Sequence, residues 1–414
     1  MTDIAGTVPV IAVDKVQAVA LAVCTYYFGV WIKGKVGVLS RYSIPSPVVG
    51  GMSFAIVVSF LEYFNIVKVQ IDSTLQTVLM LGFFTTIGLM ASLRVVKDGG
   101  RLLLGFLLAV TVLVFLQNGM GMAIAEAMGF DKHYGILAGS VSMMGGLGTA
   151  AAFGPYFEET YGITGGTAVA VTAATFGMVA SLLIVGPFGE WCIRRYKVKT
   201  PDEVQQPEPE LHLPDDMDTD ITEQHASAKP NFTNEIMRAV SVTALAMGLG
   251  TIVSNYLGHY ITLPAYIGAM IVATVIRNVG DFSGMYKVEG KGLNAVADIT
   301  LVLFVTMAIN NLKLHELVHL ALPLVVILAC QTILMLIYAW TVLFTAFGRS
   351  YDAVMLSVGG IGFSMGATAN GLANMQAISE KYGSSPRAWL IVSVVGAFLI
   401  DLINAVVITW FGTL

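Results

Sequence analysis

Long apolar runs recur along this chain of 414 residues, and several of them are long enough to cross a lipid bilayer. The clearest are residues 8–32, 102–128, 320–347 and 389–411. A bilayer has a hydrocarbon core of about 30 Å, which a helix of about 20 residues can cross. Only 12% of the residues are charged, against about 25% in soluble domains. The pattern therefore predicts an all-α polytopic membrane protein, with the lipid bilayer as its solvent.

One segment breaks the apolar pattern. Residues 196–236 are rich in Pro, Asp and Glu and poor in aromatic residues, which is typical of a solvated linker. This linker separates an N-terminal repeat, residues 1–195, from a C-terminal repeat, residues 237–414. Matching features recur in the same order in both, such as Gly129 with Gly348 and Tyr134 with Tyr351. An ordered series of this kind indicates an internal duplication.

Each repeat is predicted to contain five spans and one glycine-interrupted segment. In the first repeat the spans are expected near residues 8–32, 46–66, 76–93, 102–128 and 165–190. The interrupted segments, at about 135–158 and 351–380, are predicted to be re-entrant hairpins. Since five crossings is an odd number, the second repeat would begin on the opposite side of the membrane. The two repeats would then have inverted topology.

The distribution of Lys and Arg supports this topology, because cytoplasmic loops carry an excess of basic residues. With the N-terminus outside, only four of the 22 Lys and Arg fall on the outer side: Lys15, Lys68, Lys132 and Lys313. Counting the hairpins as full crossings would scatter the basic clusters over both sides. We therefore expect both termini outside and the central linker in the cytoplasm.

Inverted repeats with paired broken segments are typical of secondary transporters, whose binding site lies where the repeats meet. Backbone polar groups cannot stay unpaired in lipid, so a broken helix must face protein or a water-filled cavity. Free N–H groups at a half-helix start can bind an anion, and loosened carbonyls can bind a cation. The tips are expected at Ser140–Gly148 and Ser357–Ser364, together with the residues that follow each. The alternative is that these glycines only let helices pack closely.

Glycines, hydroxyls and amides at and after the two tips are the predicted substrate-binding residues. They are Ser142, Gly145, Gly146, Gly148, Thr149, Gly359, Gly360, Gly362, Ser364, Thr368, Asn370 and Asn374. No Lys or Arg lies deep within a predicted span, so an anionic substrate would need helix N-termini, amides and a co-bound cation. A co-transported sodium ion is therefore expected, without any organic cofactor.

Asp401 is the one carboxylate deep within a predicted span, where a charge costs about 2.5–3.5 kcal/mol on insertion scales. Asn404, three residues on, lies on the same helical face. The predicted sodium ligands are Asp401, Asn404, Gly146, Thr149 and Ala367. The alternative is a protonated Asp401 bonded to a neighbouring helix. Asp298 lies near the start of a span and ranks lower.

Residues 315–319, HELVH, match the HExxH motif of zinc proteases, which makes an intramembrane protease the enzyme alternative. A catalytic zinc needs a third protein ligand, and no partner motif is apparent. Interfacial histidines are therefore the favoured interpretation, and we expect neither zinc nor an enzymatic activity.

Several ordered stretches together resemble the bacterial glutamate:sodium symporter family over the whole chain except the linker. They are YSIPSPVVGG (42–51), FFTTIGLMASL (83–93), QNGMGM (117–122), LAGSVSMMGGLGTAAAF (137–153), MAINNLKLHEL (307–317), GRSYDAV (348–354), GATANGLANMQAISEKYG (366–383) and VVGAFLIDLINAVVI (394–408). The resemblance implies sodium-driven glutamate uptake across the bacterial inner membrane by a homodimer. It also implies ten spans and two re-entrant loops that move as an elevator against a scaffold.

The family's glycine-rich tips are matched here by Gly145, Gly146, Gly148, Gly359, Gly360 and Gly362, and its intramembrane aspartate is matched by Asp401. Two positions depart from the family pattern. Leu147 stands where a histidine is expected, and TANG (368–371) stands where a Thr-Pro-Thr-Ala run is expected. Both bear on the identity of the substrate.

The predicted function is sodium-coupled import of L-glutamate, or a related small carboxylate or amino acid, by alternating access. A proton-coupled or uncoupled carrier of a dicarboxylate is the alternative within the same fold, and a passive channel is a further one. No nucleic-acid partner is expected.

Overall fold

The computed structural model describes residues 9–41, 44–94, 100–201, 232–257, 264–284, 286, 290–314 and 319–414. The first half contains α1 (Lys15–Lys35), α2 (Gly37–Arg41), α3 (Ser46–Tyr63), α4 (Thr74–Met90), α5 (Gly100–Ala127), α6 (Lys132–Ile136), α7 (Gly146–Tyr161) and α8 (Gly166–Tyr196). The second half contains α9 (Phe232–Leu257), α10 (Ala265–Ser283), α11 (Lys291–Asn310), α12 (Ala321–Tyr338), α13 (Tyr351–Ser364), α14 (Thr368–Tyr382), α15 (Pro386–Val394) and α16 (Ile400–Gly412).

Three of these helices continue into π-helical turns, at Leu137–Val141 after α6, Ala339–Ala346 after α12 and Val395–Leu399 between α15 and α16. Among the described residues, seven helices are long and apolar enough to cross a membrane: α1, α3, α5, α8, α9, α11 and α12 with its π-helical turn. The length and composition of these helices confirm the prediction of a polytopic helical membrane protein.

The first span begins later than the apolar run 8–32 predicts. Val10–Val13 (β1) instead pairs in parallel with Lys68–Ile71 (β2). Asp14 then starts α1, since its Oδ1 accepts hydrogen bonds from the backbone of Val16 (2.8 Å) and Gln17 (2.9 Å). The Gln17 side chain accepts from the Asp14 N–H, which completes a capping box. A strong N-cap therefore outweighs hydrophobicity in setting the start of the helix.

The predicted linker, residues 196–236, overlaps a helix at its C-terminal end, because α9 begins at Phe232. Residues 202–231 lie outside the described residues.

The described helices pack in two groups, each of which draws on both halves of the chain. The first group comprises α1, α3, α4, α9, α10 and α11, and the second comprises α5–α8 and α12–α16. Packing is extensive within each group, while the contacts between them run mainly from α4 and α11 to α7, α8, α16 and residues 395–399. The packing units therefore cut across the two sequence halves.

The ends of the α6–α7 segment lie together, so the chain folds back on itself there. The Tyr134 hydroxyl donates a hydrogen bond to the Thr164 carbonyl (2.7 Å), and His133 stacks on Tyr161 with ring centroids 4.1 Å apart. The α13–α14 segment closes in the same way, where Ser385 donates to the Asp352 carboxylate (2.7 Å). Both segments are hairpins of helices in the described structure.

The two hairpins have their bases at opposite ends of α8. At its start, the Thr167 N–H donates to the Glu158 carboxylate of the first hairpin (2.7 Å). Near its end, Glu190 forms an ion pair with Lys381 of the second hairpin. α8 has 31 residues, which corresponds to about 46 Å at 1.5 Å per residue. The hairpins therefore point toward each other along α8.

Close glycine contacts join helices of the first group, and the crossing of α1 and α3 supplies a test. A methyl group at Gly50 would lie 1.8 Å from the Thr25 carbonyl oxygen. We expect Gly50→Ala to lower the free energy of unfolding by about 1–3 kcal/mol through this overlap. Gly119→Ala is the matched control, because no atom lies within 4 Å of its added methyl group. Thermal unfolding in detergent measures both, and equal melting temperatures would contradict the packing described here.

Candidate functional site

The first hairpin breaks where the glycine pattern predicts. Gly139 has a non-helical backbone (φ −90°, ψ −130°), and the next helix, α7, begins at Gly146 with φ +61°. A methyl group at Gly146 would lie 2.3 Å from the Gly366 carbonyl oxygen of the second hairpin. Both the positive φ and this approach require glycine. The tip of the first hairpin therefore touches the tip of the second.

The second hairpin breaks later than predicted. α13 is continuous through Ser357–Ser364, and the break lies at residues 365–367, before α14 begins at Thr368. The prediction that residues 357–364 form the broken tip is wrong.

Packing explains the glycines inside α13. Methyl groups at these positions would lie 2.7 Å from Val392 (Gly359), 2.7 Å from Leu343 (Gly360) and 2.4 Å from the Gly371 backbone (Gly362). Close helix packing, the alternative interpretation of the glycine pattern, accounts for these three residues.

A cavity of about 590 Å³ lies between the two tips and the first group of helices. Eight of the predicted site residues line it: Gly145, Gly146, Gly148, Thr149, Ala367, Thr368, Asn370 and Asp401. Leu147 and Asp298 also line it, together with apolar side chains from α4 and α11. The remaining predicted residues, which do not line this cavity, are Ser142, Gly359, Gly360, Gly362, Ser364, Asn374 and Asn404.

The helix starts at the two tips carry no side-chain cap. Neither α7 nor α14 has a side chain that accepts a hydrogen bond from its first turn. Free N–H groups and the positive end of the helix dipole therefore lie at the cavity from both sides. At the second tip, Thr368 donates its hydroxyl to the Gly396 carbonyl, and Asn370 donates to the Met178 carbonyl of α8 (3.2 Å).

The lining has an uneven charge. Asp298 and Asp401 are its carboxylates, and none of the described residues that line it is Lys or Arg. An anion in this cavity would meet two helix N-termini but also two carboxylates. A bound cation would favour such an anion by offsetting that charge.

Two predicted residues outside the lining join the first hairpin to neighbouring helices by hydrogen bonds. The Ser142 hydroxyl donates to the Ala170 carbonyl (2.7 Å), and Asn404 donates to the Ser140 carbonyl (3.1 Å). Sequence reasoning missed Gln117, whose side chain donates to the Ser364 carbonyl (3.0 Å). The signal was present, since Gln117 and Asn118 are adjacent amides in the middle of a long apolar helix.

A smaller cavity of about 280 Å³ lies at the other end of α4 and α11. Its lining includes Gln76, Glu158, Asn311 and Lys313. On α7, Phe153 lies between Thr149 of the large cavity and Pro155 of the small one.

The rings of Phe153 and Tyr266 pack with centroids 5.4 Å apart. Tyr266 also stacks on Phe84 of α4 (4.6 Å), and Phe83 packs against Phe304 of α11 (5.5 Å). These aromatic rings thus pack α4, α7, α10 and α11 against one another.

The HELVH motif can be followed only in part, because residues 315–318 lie outside the described residues. Within the described part of the chain, no three His, Cys, Asp or Glu side chains come together as a possible metal site.

Two broken helices that meet at an internal cavity of a multi-pass membrane protein have the architecture of a membrane transporter. The sequence model of the family described as Sodium/glutamate symporter matches residues 11–384, and the chain belongs to this family. The Sodium/glutamate symporter of Escherichia coli (strain K12) is 37% identical over 400 residues, covering 95% of this chain and 96% of that protein. The Haemophilus influenzae protein of that name is 34% identical over 395 residues, covering 94% and 95%.

The predicted family is thereby confirmed, as is the prediction that the chain is not an enzyme, since these relatives are transporters. Neither the carrier alternatives without sodium nor the protease finds support among them.

The position of the second tip can be tested by thiol labelling. Ala369 is exposed at the cavity, whereas Ser364 is fully buried. In a background with Cys24 and Cys330 replaced by Ser, we expect Ala369→Cys to react with a maleimide at least about tenfold faster than Ser364→Cys, since access controls thiol reactivity. Similar labelling rates in folded protein would contradict the assigned break.

Proposed function

We propose that this chain imports L-glutamate, or a closely related small carboxylate, together with sodium across the bacterial inner membrane. One observation carries the proposal. Two uncapped helix starts, at Gly146 and Thr368, face a single cavity whose described lining has carboxylates but neither Lys nor Arg. The names of the relatives, which cover nearly the whole chain, support the same substrates.

The anion is held by backbone rather than by basic side chains. Each helix start presents free N–H groups and about half a positive charge. Glutamate has two carboxylates, so the opposed starts of α7 and α14 can take one each. Thr149 and Asn370 add polar side chains to the same lining and would orient the substrate.

Sodium makes this anion site favourable. Without a cation, the carboxylates of Asp298 and Asp401 would oppose the substrate in a cavity of low dielectric. Asp401 in α16, with oxygen groups of Gly146, Thr149, Ala367 and Asn404, is the ligand set expected from the sequence.

Transport would proceed by alternating access between the two cavities. The large cavity lies at the end of α4 and the start of α11, and the small one lies at their opposite ends. The sparse contacts between the two helix groups support an elevator, in which the second group carries both hairpins past the first. Hairpin bases at opposite ends of α8 support inverted repeats with re-entrant hairpins.

The orientation follows from the basic residues. α1 ends with Lys33 and Lys35, near the start of α3, where Pro45 and Pro47 line the large cavity. If these lysines lie in the cytoplasm, as the positive-inside rule favours, the large cavity faces the cytoplasm and both termini lie outside. The homodimer remains part of the proposal, as the family resemblance implies.

The proposed coupling predicts sodium-dependent uptake in proteoliposomes. Radiolabelled L-glutamate should accumulate above its external concentration under an inward sodium gradient. Replacing sodium by choline at fixed pH should lower the initial rate at least about tenfold, because the anion then lacks its compensating charge. Uptake unchanged in choline would refute sodium coupling, and uptake that never exceeds equilibrium would favour a channel. Competition by unlabelled dicarboxylates and amino acids defines the substrate.

The tip contact predicts a second effect on uptake. Gly146→Ala places a methyl group against Gly366 and forces a residue with a side chain to φ +61°. The strain of about 1–2 kcal/mol, added to this overlap, should separate the tips and lower glutamate uptake at least about tenfold. Gly186→Ala in α8, with no atom within 4 Å of its added methyl group, should keep the normal rate. Normal uptake by well-folded Gly146→Ala protein would contradict the tip contact.

A further inference from the structure

A group of polar side chains lies behind the hairpin tips, outside the lining of the large cavity. Gln117 of α5, Ser140 of the first hairpin, Ser364 of the second hairpin and Asn404 of α16 are each at most 1% exposed. Each has a buried side-chain oxygen that finds no hydrogen-bond partner among the described residues. Buried polar atoms are usually paired, so four unpaired oxygens on contacting elements require an explanation.

Hydrogen bonds fix which amide atoms are left over. Asn404 donates its NH₂ to the Ser140 carbonyl (3.1 Å), which leaves its Oδ1 unpaired. Gln117 donates its NH₂ to the Ser364 carbonyl (3.0 Å), which leaves its Oε1 unpaired. Since each donor already has a carbonyl acceptor, turning either amide over would place oxygen against oxygen. The unpaired atoms are therefore hydrogen-bond acceptors, whose partner must be a hydrogen-bond donor or a cation.

Hydrogen bonds link these residues to one another through α5. Gly139 interrupts the first hairpin directly before Ser140, whose N–H donates to Asn118 Oδ1 (2.9 Å) instead of continuing the helix. Gln117 and Asn118 are consecutive residues of α5, so one turn of α5 holds Ser364 and Ser140, and Ser140 in turn holds Asn404. Asp401 lies one helical turn before Asn404, at a rise of about 4.5 Å, and can compensate a positive charge.

We propose that the unpaired oxygens of Gln117, Ser140, Ser364 and Asn404 hold the co-transported sodium ion behind the tips. This inference rests on the proposed sodium coupling and places the ion behind the tips instead of among Gly146, Thr149 and Ala367 of the large cavity. Of the ligand set expected from the sequence, it keeps Asn404 as a ligand and Asp401 as the nearby charge. A hard cation suits uncharged oxygens of this kind, with a carboxylate one turn away. The ion would tie α5, both hairpins and α16 together, and so hold the two helix starts in the arrangement that binds the substrate.

The test measures sodium binding directly, by thermal unfolding of the purified full-length protein without glutamate. Sodium replaces choline at constant ionic strength, and the melting temperature should rise with sodium as an ion that binds the folded state requires. Ser140→Ala and Asn404→Leu should each raise the half-saturating sodium concentration at least about tenfold relative to the parent protein.

Thr409→Val is the matched control on α16, because the Thr409 hydroxyl already donates within its own helix to Ala405. Its sodium response should equal that of the parent protein. A normal response in Ser140→Ala would overturn the site and leave a buried water as the partner of these oxygens. Sodium-dependent uptake without any sodium effect on the parent's melting temperature would overturn the site alone. If sodium changes neither glutamate uptake by the parent protein nor its melting temperature, the proposed coupling is overturned as well.

Discussion

Backbone polar groups in a membrane must be paired, and the structure depends on how two interrupted helices meet that requirement. The hairpin tips leave the starts of α7 and α14 without side-chain caps, yet they lie inside the protein and face a cavity. The contact between Gly146 and Gly366 holds the two starts opposite each other. Unsatisfied N–H groups, which lipid would not tolerate, would thereby become the means of binding the proposed anion.

The arrangement of the two halves makes this contact possible. Each half contributes three helices to the first group and a hairpin to the second, and α8 spans the distance between the hairpin bases. Neither half could build the site alone, because each supplies one helix start. The polar layer behind the tips, from Gln117 to Asn404, links both hairpins to α5 and α16. Substrate and ion would therefore act on the same pair of tips.

The sequence predicted the helical membrane architecture, because length and hydropathy carry strong local signals, and the turn before Gly146 lies within the predicted segment Ser140–Gly148. It misplaced the second tip, since a glycine at a break and a glycine at a close helix contact look alike in sequence. Gly359 packs against a neighbour, while Gly366 forms the break, and only tertiary contacts separate the two. Gln117 and Asn118 were missed for a related reason, because two adjacent amides in an apolar helix do not reveal their distant partners Ser364 and Ser140.

Hydrogen exchange at the two helix starts tests the central claim most directly. The N–H groups of residues 147–148 and 368–370 should exchange more slowly when glutamate and sodium are added together, because the substrate carboxylates would accept hydrogen bonds from them. Protection should appear at both tips at once, and glutamate in choline should produce much less of it. Protection that spares both segments while substrate is bound would contradict an anion site built from opposed helix starts.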